Sequence, residues 1–154
     1  MMPRMQIFID SNVFLDYLMQ RQPFYHFSRQ VFLLGVYKEA DLWLSSSMVT
    51  DVFYLLRKAF GWLAAEEMIE NSLEFVRVCS VGEEEVKSAL RARQSDFEDC
   101  LVAKCAERQR ADYFITRDDK GFKNLHLPVF SPEEFMTHLK QQKGFAYDEI
   151  DFSE

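Results

Sequence analysis

Apolar and polar positions follow two different spacings along this chain, and the changes in spacing predict where strands and helices lie. A run of consecutive apolar residues is typical of a strand that is buried on both faces. Such runs predict five strands, at Met5–Ile9, Leu42–Leu44, Val76–Val81, Tyr113–Thr116 and Val129–Phe130. The first run stops abruptly at a charged residue, Asp10.

Apolar residues at helical spacing fill the intervals between these runs. The predicted helices are Asn12–Met19, Phe24–Lys38, one from the serines at 45–47 to about Phe60, Leu63–Leu73, Glu83–Arg91, one from Ser95 to about Gln109, and a last helix that starts at Ser131. Serine caps helix N-termini, Ser95 and Glu98 have capping-box spacing, and Pro132 suits a first helical position. Strands that alternate with helices indicate an α/β fold whose parallel sheet is covered on both faces.

The length and composition of the chain indicate one folded domain. Its 154 residues suit a single core, 48% of them are apolar, and no repeat or linker divides them. We therefore predict one domain over residues 1–143 and an acidic tail over residues 144–154. No apolar run reaches the ~20 residues that a membrane-spanning helix needs, and the N-terminus lacks the apolar stretch of a secretion signal.

Cysteine usage and net charge bear on the compartment and on the substrate. Cys79, Cys100 and Cys105 are odd in number and lack metal-binding spacing, so reduced thiols in a cytoplasmic protein are expected. The net charge of −7 argues against a protein that holds nucleic acid mainly by its overall field. Substrate binding then depends on local cations, and Arg117 is the strongest candidate because it adjoins Asp118.

Two aspartates come just after predicted strands. Asp10 directly follows the first strand, and Asp118 lies two residues beyond the fourth. In open parallel sheets, ligands bind outside the carboxyl ends of the strands, where the strand order reverses. Aspartate is also common in turns at strand ends, which is the ordinary explanation for either residue alone. If the two strands are neighbours, both carboxylates overlook one crevice.

Asp99 differs from the other helical acids because it shares an arc of the helix with Val102, Ala103 and Ala106. An acid on a core-facing stripe costs desolvation free energy unless it is paired, hydrogen-bonded or bound to metal. Asp96 has a simpler explanation, since acids in the first turn ordinarily stabilise a helix N-terminus. Asp99 is therefore the most informative acid on a helix.

Three further acids have weaker claims. Asp51 falls early in the helix after the serines, where the helix dipole accounts for an acid nearly as well as chemistry does. Asp16 is expected to face solvent or to support the site from outside, and Asp119 adjoins the better-placed Asp118. Several carboxylates with no His or Cys partner suit a hard cation, Mg²⁺ or Mn²⁺, which also relieves their mutual repulsion.

Four short pieces, in this order, resemble the PIN-domain family, in the branch that includes VapC-like toxins. They are Ile9–Val13, Asp51, Asp96–Asp99 and Ile115–Asp118, and the agreement in order and spacing spans roughly residues 5–135. The resemblance implies a three-layer α/β/α sandwich whose central parallel sheet has the strand order 3-2-1-4-5. It also implies an endoribonuclease that depends on Mg²⁺ or Mn²⁺ and that commonly forms a homodimer.

The resemblance also assigns roles by position. The residues that match the catalytic acids of the family are Asp10, Asp51, Asp99 and Asp118, and all but Asp51 are expected to bind the metal. The residues expected to orient or support the site are Asn12, Asp96, Thr116 and Asp119. The expected substrate is RNA, and for a toxin the expected partner is a small antitoxin that blocks the acidic crevice with a basic side chain.

Departures from the family pattern leave an alternative open. The family more often has Glu near Asp51, and it commonly has an acid where Gly121 precedes Phe122. A catalytically silent PIN module that binds RNA or a partner protein is therefore the second interpretation. A phosphohydrolase of the haloacid-dehalogenase type requires D-x-D after the first strand, but Asn12 occupies the second acidic position. The first prediction remains metal-dependent hydrolysis of RNA.

Overall fold

The strands all run parallel and form one sheet. The structure is a computed structural model that describes residues 3–143. Its strands are β1 (Met5–Ile9), β2 (Ala40–Ser45), β3 (Val76–Cys79), β4 (Tyr113–Ile115) and β5 (Val129–Phe130). Their spatial order is β3-β2-β1-β4-β5, which confirms the predicted order and places β1 beside β4.

Helices flank this sheet in a three-layer α/β/α arrangement, as predicted. Within residues 3–143 the α-helices are α1 (Ser11–Leu18), α2 (Tyr25–Val36), α3 (Ser46–Phe60), α4 (Trp62–Ser72), α5 (Glu83–Ala92), α6 (Phe97–Arg108) and α7 (Pro132–Lys143). A short 3₁₀ turn at Asp119–Phe122 was not predicted. Helix α2 packs against α1 and α7, and α3 packs against α4 as α5 does against α6. Among these helices, none is long and apolar enough to cross a membrane.

The central strand is buried on both faces, which explains its unbroken apolar run. Ile7, Phe8 and Ile9 have no exposed surface, and the Phe8 ring stacks on Phe114 of β4 at 5.9 Å between ring centres. Burial of such side chains stabilises the fold by roughly 1.5–3 kcal/mol for each one. The three cysteines are free and buried, as expected of reduced thiols.

Local contacts place two boundaries differently from the sequence prediction. The third strand ends at Cys79 instead of Val81, because the Val81 amide turns away and donates to Ser46 Oγ at 3.0 Å. The predicted capping box of Ser95 and Glu98 is wrong. Asp96 is the N-cap of α6, and its side chain accepts a hydrogen bond from the Asp99 amide at 3.0 Å.

The last helix begins as predicted, with Pro132 in its first position. Here a capping box does form. The Ser131 hydroxyl accepts from the Glu134 amide at 3.1 Å, and the Glu134 carboxylate accepts from the Ser131 amide at 2.9 Å. The predicted acidic tail at 144–154 lies outside the described residues.

We expect the substitution Gly35→Ala to destabilise the fold by roughly 1–3 kcal/mol, the usual cost of overpacking a core. A Cβ at Gly35 would lie 2.7 Å from Leu42 Cδ1 of β2 and 2.7 Å from the Phe75 carbonyl oxygen. That oxygen belongs to the backbone and cannot move cheaply, so the clash outweighs the ~1 kcal/mol gain in helix propensity. Urea denaturation measures the change in the free energy of unfolding.

The matched control is Gly82→Ala. Its Cβ would come no closer than 3.6 Å to Glu85 Oε2, and its backbone is already extended. We expect a change within about 0.5 kcal/mol. Equal stability of the two variants would contradict close packing of α2 on β2.

Candidate active site

Asp10 is held in a fixed position at the carboxyl edge of the sheet. Its amide extends the β1–β4 ladder by donating to the Ile115 carbonyl oxygen at 2.9 Å. Its side chain caps α1, where Oδ1 accepts from the Ser11 amide at 2.8 Å. The other carboxylate oxygen, Oδ2, accepts from the Thr116 hydroxyl at 2.8 Å. Only 8% of the residue is exposed, so these bonds carry most of its compensation for burial.

Asn12 and Thr116 connect the ends of β1 and β4. The side-chain nitrogen of Asn12, Nδ2, lies 3.5 Å from Asp10 Oδ2 and 3.4 Å from Thr116 Oγ1. Asn12 Oδ1 accepts from the Arg117 amide at 3.3 Å, and Thr116 Oγ1 accepts from the Asp118 amide at 3.0 Å. The structure therefore places both residues where they orient Asp10 and the loop that carries Asp118.

Three of the four candidate catalytic acids line one cleft of about 290 Å³, which we call the acid cleft. Asp10 directly follows β1, Asp51 lies on α3 and Asp99 in the first turn of α6. The remaining lining residues are Ser11, Ser47, Met48, Phe97, Glu98, Leu101 and Val102. Asp51 is exposed on the α3 side of this cleft. Acids far apart in the chain are thus brought together by the sheet order and by two helix starts.

Like charges in and around the cleft act on one another. Partial burial raises the pKa of Asp99 to about 7, with further contributions from the charges of Asp96, Asp10 and Asp118. Burial also raises the pKa of Asp10, against the opposing effect of the Thr116 hydrogen bond, and the charges of Asp118 and Asp96 add to the rise. Asp118 is exposed and does not line the cleft, but its charge acts on Asp10 and Asp99, which do.

Gly121 lies directly beneath the Asp99 carboxylate. A Cβ at this position would overlap Asp99 Oδ2, so the space that a side chain needs is already filled by Asp99. Gly121, at a position where the family commonly has an acid, therefore leaves room for the Asp99 carboxylate. Asp119, the neighbour of Asp118, is exposed at the start of the 3₁₀ turn, and Asp96 contacts Asp99 as the cap of α6.

The donors of the acid cleft suit a hard divalent cation. Within residues 3–143, no group of three or more Asp, Glu, His or Cys side chains is placed so that it could hold a metal ion, so these acids do not form a ready-made cage. Mg²⁺ does not require such a cage, because proteins commonly bind it through one or two carboxylates while it keeps several waters. Asp10 and Asp99 are oxygen donors whose uncompensated repulsion a cation relieves, so they fit the ion. Convergence of Asp10, Asp99 and Asp118 on one ion stays a prediction.

Arg117, the predicted substrate contact, does not line the acid cleft. Its guanidinium donates to both carboxylate oxygens of Asp16, from Nε at 2.5 Å and from Nη2 at 3.2 Å. Its guanidinium carbon lies 3.8 Å from the centre of the Phe24 ring. Arg21 Nε also pairs with Asp16 at 2.9 Å. Any contact of Arg117 with substrate therefore takes place outside the acid cleft.

Asp16 is fully buried, so the alternative that it faces solvent is wrong. Two guanidinium groups compensate its burial, and a buried carboxylate is stable only with such partners. One partner, Arg21, is close in sequence, whereas Arg117 is 101 positions away. Helical spacing alone does not reveal the pairing of Asp16 with Arg117. The nearby Arg21 was the one feature of the local sequence that could have indicated a paired Asp16.

We expect Asp99→Asn to raise the melting temperature of the metal-free protein at pH 8 by a few degrees. The folded-state pKa of Asp99, about 7, lies above its ordinary value of 3.8. The folded protein therefore binds more protons than the unfolded chain between these values, and its stability falls as pH rises through them. Asparagine carries no charge to repel, so the gap between variant and wild type should be smaller at pH 5.

Thermal melts in a chelator at pH 5 and pH 8 measure this gap. Glu66→Gln, an exposed acid on α4, is the control and should give no pH-dependent gap. A gap of equal size at both pH values would mean that repulsion does not act on the Asp99 carboxylate.

Comparison with known proteins extends these observations. The chain is 26% identical over 135 residues to ribonuclease VapC1 of Aquifex aeolicus, which covers 84% of this chain and 92% of the relative. The solved structure of VapC20 from Mycobacterium tuberculosis, a Sarcin-Ricin loop cleaving toxin, superposes with a TM-score of 0.60 at 16% identity, over 75% of this chain and 92% of that one.

VapBC2 from Rickettsia felis, solved bound to a DNA fragment from its promoter, also has a TM-score of 0.60 at 16% identity, over 81% of this chain and 96% of that one. These structural similarities concern the fold. The sequence model of the PIN domain family matches residues 6–120, which include Asp10, Asp51, Asp99 and Asp118. The chain therefore belongs to the PIN domain family.

Proposed function

We propose that this protein is a divalent-metal-dependent endoribonuclease, with Asp10, Asp99 and Asp118 as the metal-binding acids. The observation that carries the proposal is the acid cleft, where Asp10 is fixed by Thr116 and Ser11 while the nearby Asp99 has a raised pKa. Acids kept under mutual repulsion cost stability, and a bound cation offsets that cost. Relatives whose names state ribonuclease activity or cleavage of the Sarcin-Ricin loop support RNA as the substrate.

The residues of the chain divide the work as follows. Asp10 offers a rigid carboxylate, because both of its oxygens are already hydrogen-bonded to the scaffold. Asp99, on α6, adds a second oxygen donor, and Asp118 adds negative charge from the β4 side. Asp51, exposed on the α3 side, orients the attacking water. A bound Mg²⁺ or Mn²⁺ supplies Lewis-acid stabilisation of the charge that develops on the phosphoryl oxygens.

We further propose that the protein is the toxin of a toxin–antitoxin pair and that it forms a homodimer in the cytoplasm. The VapBC2 complex of Rickettsia felis supports an antitoxin partner. Helices α3 and α4 expose large apolar side chains that suit a protein interface, namely Tyr54, Leu55, Phe60, Trp62 and Leu63. Free thiols at Cys79, Cys100 and Cys105 fit a reducing compartment.

A catalytically silent module is the second candidate. Asp51 is one methylene shorter than Glu, and the contact between Gly121 and Asp99 leaves no room for another acid beside Asp99. Such a module binds RNA or a partner protein without cutting RNA. Metal binding and cleavage distinguish the two candidates.

We expect Asp10→Asn to reduce Mn²⁺-dependent cleavage of RNA by more than about 100-fold, since it removes a ligand charge from the cleft. Gel-based cleavage assays measure the rate, and circular dichroism verifies that the variant is folded. Calorimetric titration of the wild type with Mn²⁺ provides the second readout. A folded wild type that neither binds Mn²⁺ nor cuts RNA would favour the silent module, and full activity of Asp10→Asn would remove the basis of the proposal.

We expect Thr116→Val to weaken Mn²⁺ binding by roughly 10- to 100-fold, the usual effect of losing a residue that orients a metal ligand. Valine keeps the shape of threonine but cannot donate the 2.8 Å hydrogen bond to Asp10 Oδ2. Thr137→Val is the control, because Thr137 is exposed on α7 and its hydroxyl donates locally, to the Glu133 carbonyl oxygen. Equal Mn²⁺ affinities of the two variants would show that Thr116 does not orient the site.

A further inference from the structure

A second pocket opens at the same edge of the sheet as the acid cleft. It has a volume of about 470 Å³, and we call it the Phe24 pocket. Its lining residues are Pro23, Phe24, Phe27, Arg117, Ser131, Pro132 and Glu133. In the sequence, Arg117 lies between Thr116, whose hydroxyl donates to Asp10, and Asp118. Ser131 directly follows β5. One residue of the β4 loop therefore contributes to the wall of this pocket while its two neighbours belong to the candidate active site.

Arg117 brings a cationic cluster to the wall of this pocket. Arg21 and Arg117 both pair with the single buried carboxylate of Asp16. The cluster holds two cations and one anion, and Glu133 is an acid of the pocket wall itself. The two hydrogen bonds that Arg117 donates to Asp16 also fix the plane of its guanidinium. A phosphodiester beside the acid cleft finds here a cation that is already held in place.

The same pocket offers flat surfaces of the kind that nucleobases use. The Phe24 ring is 39% exposed and lies 3.8 Å from the Arg117 guanidinium carbon, and Phe27 is partly buried beside the pocket. Unstacked bases of single-stranded RNA stack on aromatic rings and on guanidinium planes. The exposed Glu133 carboxylate is an acceptor for an amino group on a base edge.

We propose that the Phe24 pocket binds the nucleobase next to the scissile phosphodiester, with Arg117 contacting the phosphate between that base and the acid cleft. The inference rests on the proposed function and names how the substrate is held. The Arg117 guanidinium favours a base joined to a phosphodiester over an apolar peptide, because it offers donors for a phosphate directly beside an exposed aromatic ring. The pocket thereby supplies local attraction that the net charge of the chain does not.

A binding experiment tests the pocket without cleavage. The probes are single-stranded RNA oligonucleotides of one sequence, cut by the wild type, in which 2-aminopurine replaces one base at a time. If the wild type cuts none, a mixed-sequence RNA is used. With Asp10→Asn protein, fluorescence should change strongly at one position beside the cleavage site. Adding Phe24→Leu should abolish that change, Phe24→Trp should retain it, and Tyr37→Leu, at an exposed aromatic residue outside pocket and cleft, should leave it unaltered.

A cleavage experiment separates base binding from support of Arg117. Removal of the base at that position should lower kcat/KM of the wild type by about tenfold, within the usual effect of losing one base–aromatic stack. Phe24→Leu should lower kcat/KM for intact RNA by a similar factor and should show no further loss on the abasic RNA. Equal fractional losses on intact and abasic RNA would mean that Phe24 only supports Arg117, which overturns the proposal.

The outcomes also separate this inference from the proposed function. A positional 2-aminopurine signal without any cleavage would overturn the nuclease and retain the pocket. Cleavage that is indifferent to every base removal, with no positional signal, would overturn the pocket and retain the nuclease. A pocket that serves a partner peptide gives that second result. A protein that neither binds nor cuts RNA would overturn both.

Discussion

The hydrogen bond from the Thr116 hydroxyl to the buried Asp10 carboxylate is the interaction on which the site depends. It joins the ends of β1 and β4 at the edge where their parallel pairing stops, and it fixes one carboxylate oxygen while the Ser11 amide fixes the other. A buried carboxylate needs such donors, but two neutral donors do not cancel its charge. The pKa of Asp10 remains raised, because these donors do not offset the cost of burying its charge.

Two buried aspartates, Asp10 and Asp16, lie six positions apart and differ in whether the protein compensates their charge. Asp16 is paired with two guanidinium groups, so its charge is matched within the protein. Asp10 is surrounded by Thr116, by a backbone amide and by other acids, so its charge is not matched. Asp16 holds two guanidinium groups in place, whereas Asp10 lies in a cleft with other acids. The loop from Thr116 to Asp118 contacts both aspartates, Asp10 through Thr116 and Asp16 through Arg117.

The clustering of acids at this edge of the sheet lowers the stability of the fold. Asp99 has a pKa raised to about 7 by burial and by like charges, which is costly in a protein without metal. Clustered acids of this kind are a common feature of sites whose function is to bind cations or to transfer protons. Gly121 belongs to the same arrangement, since it leaves open the space that the Asp99 carboxylate fills. The presence of glycine at position 121, which departs from the family pattern, therefore has a steric explanation.

The order and class of the strands and helices follow from the amino-acid pattern alone, because apolar periodicity records which positions each element buries. It also identified Asp10 and Asp99, since an acid at the end of a buried run or on an apolar arc is conspicuous against its neighbours. The resemblance to a family, and not periodicity, supplied the sheet order. The folded structure was needed to show that Asp16 is buried, that Arg117 pairs with it across 101 positions, and that Asp96 and not Ser95 caps α6. Partners of buried charges are chosen by contacts distant in the chain, and a local pattern carries no record of them.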